Sequence, residues 1–108
     1  DDAIHSGAHR QFYMHRTSHW IGLDVHDCGA YSSGQDDAQQ PIWRTLQKGM
    51  VLTIEPGLYI RPSADVPEQF WNIGIRIEDD AIVTANGCEL TTRDVPVAMT
   101  DIEHLMTH

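Results

Sequence analysis

Val51 to Pro62 reads V-L-T-I-E-P-G-L-Y-I-R-P, an apolar run with a single carboxylate, Glu55, set in its middle. Val51, Leu52, Thr53 and Ile54 favour an extended backbone. The period of two then places Val51, Thr53 and Glu55 on one face and Leu52 and Ile54 on the other. A carboxylate in such a run needs a cation beside it, at the least an Arg. Pro56-Gly57 follows at once, removing a backbone donor and permitting a bend that a central strand rarely tolerates. A second stretch, Ile73-Gly74-Ile75-Arg76-Ile77-Glu78, alternates strictly. Its three Ile fall on one face and Gly74, Arg76 and Glu78 on the other. Ala81 to Thr84 extends this strand, Asn86-Gly87 marks a turn, and Glu89 to Thr92 returns as the hairpin partner. The centre of the fold is therefore expected to be an antiparallel sheet.

Outward from this sheet the signals weaken. Asp1 to Phe12 is short and weakly helical, with Asp1 or Asp2 as a cap. Tyr13 to His26 carries three His among large apolar residues and is expected to be a loop feeding a strand. Asp27 to Lys48, rich in Gly, Ser, Gln and Asp, reads as an exposed loop followed by a short turn. Gly49 is expected to start the strand that carries Glu55. Arg61 to Trp71 holds Pro62 and Pro67 and reads as a loop. Thr100 and Glu103 form a capping-box pattern, so a short helix is expected from Thr100 to the C-terminus.

With 108 residues, there is room for one domain. Sixteen acidic against seven basic side chains leave a formal net charge of −9. This balance argues against nucleic acid or an anionic membrane as partner, and suits hard cations or basic ligands. Cys28 and Cys88 are too few and too distant for a disulfide framework, which points to a reducing, cytoplasmic setting. Asp1 to Ile4 has neither the basic nor the apolar region of a signal peptide, and no run reaches the length of a membrane span.

The chemistry converges on His19 in T-S-H-W, Glu55 in T-I-E-P-G and Glu78 in I-R-I-E-D-D. One imidazole and two carboxylates make a mixed nitrogen and oxygen set suited to Mn²⁺, Co²⁺, Fe²⁺ or Zn²⁺. Asp79 and Asp80 compete with Glu78 for this role. Alternation keeps Glu78 on the face of Arg76, whereas Asp79 turns to the Ile face or begins a bend. His5 and His9, although spaced i, i+4, read as solvated. His15 and His19 do not form the zinc motif of helical metalloproteases, because Arg16 stands where that motif requires Glu.

Three segments in order, F-Y-M-H-R-T-S-H-W-I-G-L-D-V-H-D, G-M-V-L-T-I-E-P-G-L-Y-I and V-P-E-Q-F-W-N-I-G-I-R-I-E-D-D, resemble the C-terminal half of the catalytic domain of the Xaa-Pro aminopeptidase (aminopeptidase P) family. The resemblance covers nearly all of residues 1–108. It implies the α+β "pita-bread" fold shared with prolidase, methionine aminopeptidase and creatinase, a curved antiparallel sheet of four or five strands with flanking helices. It also implies two metal ions, usually Mn²⁺, with Co²⁺ or Zn²⁺ as substitutes. His19, Glu55 and Glu78 then match metal ligands, with Glu55 also handling the proton of the attacking water. His15 and His26 match imidazoles that contact the substrate and the developing oxyanion, and Arg76 packs beside the metal carboxylates. The implied reaction is hydrolysis of the bond between an N-terminal residue and a following proline.

Two further Asp ligands of that family, one in a D-x-G segment, have no counterpart here. The chain is therefore expected to be a part of a larger domain, inactive by itself, with the remaining half of the catalytic domain as its partner. Its exposed sheet implies self-association into a homo-oligomer. Prolidase, which cuts dipeptides, is the alternative enzyme. A non-catalytic peptide-binding relative is the alternative of another class, but such relatives lose the ligands that are present here.

Overall fold

The computed structural model describes residues 1–107. In chain order the elements are helix α1 (Asp2–His5), a 3₁₀ turn at Ala8–Gln11, strands β1 (Ser32–Gln35), β2 (Pro41–Trp43), β3 (Val51–Ile54) and β4 (Gly57–Ile60), a 3₁₀ turn at Glu68–Phe70, strands β5 (Ile73–Arg76), β6 (Asp79–Val83) and β7 (Cys88–Leu90), and helix α2 (Met99–Met106). The architecture is α+β with every strand pairing antiparallel.

The organising feature is one long bent ribbon. β3 pairs with β6, Ile54 facing Asp79, and β4 pairs with β5, Gly57 facing Arg76. The register is the same on both sides of the gap, and the Ile77 amide donates to the Pro56 carbonyl at 3.1 Å within it. The ribbon thus runs unbroken from Val51 to Ile60 and from Ile73 to Val83. Pro56 costs it one ladder bond, because proline has no N–H to give. β7 adds to β6 on the far side, Val83 facing Cys88, so the turn expected at Asn86-Gly87 closes a hairpin. On the other flank Thr17 to Ile21 lies along β3. The Glu55 amide donates to the Thr17 carbonyl at 2.7 Å and the Thr53 amide to the His19 carbonyl at 2.9 Å.

Three expectations are corrected. Asp27 to Lys48 is not all loop, because Ser32–Gln35 and Pro41–Trp43 form a hairpin around Asp36, whose carboxylate accepts from the Ala38 and Gln40 amides. Side chain-to-backbone turns of this kind stabilise a hairpin without any apolar alternation to reveal it. The final helix begins at Met99 with Ala98 as its cap and no side-chain capping bond, so the Thr100–Glu103 box does not form. Instead of four or five strands in one sheet, the described residues make seven short strands in three sheets.

Little of the chain is covered. Among the described residues, Ala81 is the buried hydrophobic one, and Thr53, Glu55 and Asp79 are the buried polar ones. The Ile face of the ribbon, with Ile54, Leu58, Ile73, Ile75 and Ile77, is exposed. The solvent-accessible area of 8901 Å² exceeds by about 2,800 Å² that of an ordinary folded protein of 12.2 kDa. The radius of gyration, 17.6 Å, compares with about 13 Å for a self-contained domain of this length.

Candidate metal centre

The ribbon register decides where the acids go. Continuing the pairing of β3 with β6 by one step sets Glu55 opposite Glu78. Residues directly opposite on one face of an antiparallel pair stand about 5 Å apart at Cβ, and like charges there repel. Two carboxylates in this position call for a cation. His19 joins them from the neighbouring segment, its Nε2 3.3 Å from Glu55 Oε1. Among the described residues, His19, Glu55 and Glu78 are the group in which one ligand atom from each residue lies within 4.8 Å of the others. Donors bound to one ion at about 2.0–2.3 Å stand roughly 3 to 4.6 Å apart, so the three side chains lie near the spacing of a shared cation.

The tautomer of His19 favours the same reading. Its Nδ1 stands 2.9 Å from the Trp20 carbonyl oxygen, which can only accept, so in neutral imidazole the proton is on Nδ1. Nε2 then turns a lone pair toward the lone pairs of Glu55, and only a proton or a cation between them relieves the contact. A ligating His held through its other nitrogen by a backbone carbonyl is the usual support of a metal site.

Around this group the chain supplies two supports. Thr53, fully buried, accepts from the His19 amide at 3.1 Å, and its hydroxyl lies 3.5 Å from Glu55 Oε1. Arg76 reaches both acids, NH1 at 3.7 Å from Glu55 Oε2 and Nε at 3.5 Å from Glu78 Oε2. Asp79 does turn away from Glu78. It is buried on the opposite side, paired with Arg93 and bonded by the Thr92 hydroxyl, which removes it from the candidate ligands. Asp80 instead has its backbone tied to Thr91 and Thr92.

His26 stacks obliquely on His19, ring centroids 4.3 Å apart, at the edge of a cavity of about 570 Å³ lined by His15, His19, His26, Glu55 and Arg76. His15 lines it too, but both of its nitrogens are engaged inside the chain. Nδ1 stands 2.8 Å from the Arg16 carbonyl and Nε2 2.8 Å from the Tyr59 hydroxyl. Sequence reasoning set Thr53 beside Glu55 without giving it a role, and overlooked Tyr59. The signal was present, since alternation along 53, 55, 57 and 59 puts both on the Glu55 face.

The profile of metallopeptidase family M24 matches residues 1–85. The Xaa-Pro aminopeptidase of Escherichia coli K12 is 55% identical over 98% of this chain, which covers 22% of that protein. The solved structure of E. coli aminopeptidase P with the inhibitor Pro-Leu superposes with a TM-score of 0.82 at 51% identity, over 99% of this chain and 23% of that one. A zinc-substituted form of E. coli aminopeptidase P with product gives the same TM-score, identity and coverage. The chain thus spans less than a quarter of the length of these relatives. A matching profile over most of its residues, together with a shared fold at high identity, shows that this chain belongs to metallopeptidase family M24.

Proposed function

We propose that this chain contributes His19, Glu55 and Glu78 as ligands to the metal centre of an aminopeptidase that cleaves the bond between an N-terminal residue and a following proline. The observation that carries the reading is the meeting of these three side chains in a chain 55% identical to an Xaa-Pro aminopeptidase. Two Mn²⁺ ions are the proposed cofactor. The oxygen-rich donor set suits Mn²⁺, and the zinc-substituted relative supports a site that accepts more than one divalent ion. Bound ions would supply activation of water and polarisation of the scissile carbonyl.

The chain's own residues have separable tasks. Glu55, 8% exposed, is shielded enough to take a proton from an attacking water without competition from bulk solvent. Arg76 holds the two carboxylates facing one another and limits their repulsion. His26, exposed at the cavity edge, is the imidazole free to meet a peptide substrate. Tyr59 and the Arg16 carbonyl fix the ring of His15, which shapes the cavity wall. The exposed Ile face is the surface on which the remaining half of the catalytic domain would sit, which accords with the excess area and large radius.

The test is calorimetric titration of Mn²⁺ into the complete protein and into its His19→Ala variant, with turnover of an Xaa-Pro peptide followed in parallel. Loss of both high-affinity metal binding and turnover in the variant is expected. Unchanged metal affinity would remove His19 from the centre.

A further inference from the structure

His26 is placed by a loop that has no apolar anchor. Between Trp20 and Asp27 the chain turns out into solvent, with Leu23 fully exposed and Val25 69% exposed. Packing therefore does not decide where His26 sits, yet its ring lies against His19. The loop is closed instead around Asp27. The Asp27 amide donates to the Trp20 carbonyl at 3.0 Å, and its carboxylate accepts from the Leu23 amide at 3.2 Å on Oδ2 and from the Cys28 amide at 2.9 Å on Oδ1. Gly22 completes the arrangement. A Cβ there would stand 2.1 Å from Asp27 Oδ2, so any side chain at this position displaces the carboxylate from its donors.

We propose that Asp27 is a positioning residue whose carboxylate, seated over Gly22, closes the Trp20–Asp27 loop and so holds His26 against His19 at the mouth of the site. Each carboxylate oxygen serves a different N–H. An amide cannot replace them, because whichever way Asn is turned its NH₂ faces one of the two donors. Asp27→Asn and Gly22→Ala therefore damage the same device by independent routes, one by chemistry and one by displacement.

The proposal rests on the catalytic reading of the cavity, and the test separates the two. In the complete protein, Asp27→Asn and Gly22→Ala are made alone and combined with His26→Ala, and kcat and KM are measured on an Xaa-Pro peptide. Each single variant is expected to lower kcat/KM by roughly 10- to 100-fold, the scale of a misplaced catalytic contact. Neither should lower it further once His26 is Ala, because residues acting through one group are not additive. In the metal-free protein with labelled histidines, the nuclear Overhauser contact between the His19 and His26 rings should vanish in both variants. An undiminished loss in the His26→Ala background, or a ring contact that persists in both variants, overturns the proposal. A wild type that leaves Xaa-Pro peptides uncut overturns the function, while the ring contact still decides the positioning.

Discussion

Replacing Glu78 by Gln should leave the protein nearly as stable without metal and make it less stable with it. Glu55 and Glu78 offer oxygens within 4.8 Å of each other. Two unit charges at that separation repel by about 3.5 kcal/mol at an effective dielectric of 20. Glu78 has a side chain 39% exposed, and its ion pair with Arg76 at 3.5 Å opposes that repulsion with a similar attraction, so the net effect of its charge is within roughly 1 kcal/mol of zero. Gln keeps the shape and removes both the repulsion and the Arg76 pairing, which predicts a metal-free melting temperature within a few degrees of the wild type. Metal separates the two. A ligand at 100 times its dissociation constant stabilises by about 2.7 kcal/mol. Losing one charged ligand should weaken binding at least about tenfold, or 1.4 kcal/mol. Thermal melts in EDTA and in excess Mn²⁺ on wild type and Glu78→Gln read both states together. A variant that keeps the full metal-induced rise would show that Glu78 does not share an ion with Glu55.

The same reasoning extends to the rest of the chain. Glu55→Gln in the complete protein should lower kcat on an Xaa-Pro peptide by at least about 100-fold, and near-normal turnover at unchanged metal content would remove Glu55 from proton transfer. Ile75→Lys, on the exposed Ile face, should leave the 108-residue chain within about 0.5 kcal/mol of its stability. In the complete protein it should cost several-fold more, as read by urea denaturation, and equal effects in both would mean that this face stays in solvent. The 108-residue chain alone, given excess Mn²⁺, should leave an Xaa-Pro peptide uncut, since three ligands cannot hold the two ions that the proposed reaction uses. Hydrolysis measured by release of the N-terminal residue would show that the chain completes a centre without further ligands.

Much of the site could be read from spacing because a strand's period of two is a local property. Strict alternation through Ile73–Glu78 and Val51–Glu55 was enough to set Glu78 with Arg76 and Glu55 with Thr53, and the Asn86-Gly87 signal was enough to close the last hairpin. The hairpin at Ser32–Trp43 escaped because its polar residues are held by the Asp36 carboxylate rather than by a buried face, and periodicity reports only burial. The Thr100–Glu103 pattern misled because a cap motif competes with neighbouring starts of similar energy, and helix α2 begins at Met99 instead. What only the tertiary structure decided is register. Which residue of Val51–Ile60 faces which residue of Ile73–Val83 depends on pairing across 13 to 31 positions, and a slip of one would send Glu78 to the Ile face. That pairing puts Glu55 against Glu78, the Thr17–Ile21 segment brings His19 to them, and Tyr59 reaches His15 from 44 residues away. The residue types were sufficient to name the chemistry, but only the long-range hydrogen bonds of the ribbon could bring those side chains to one point.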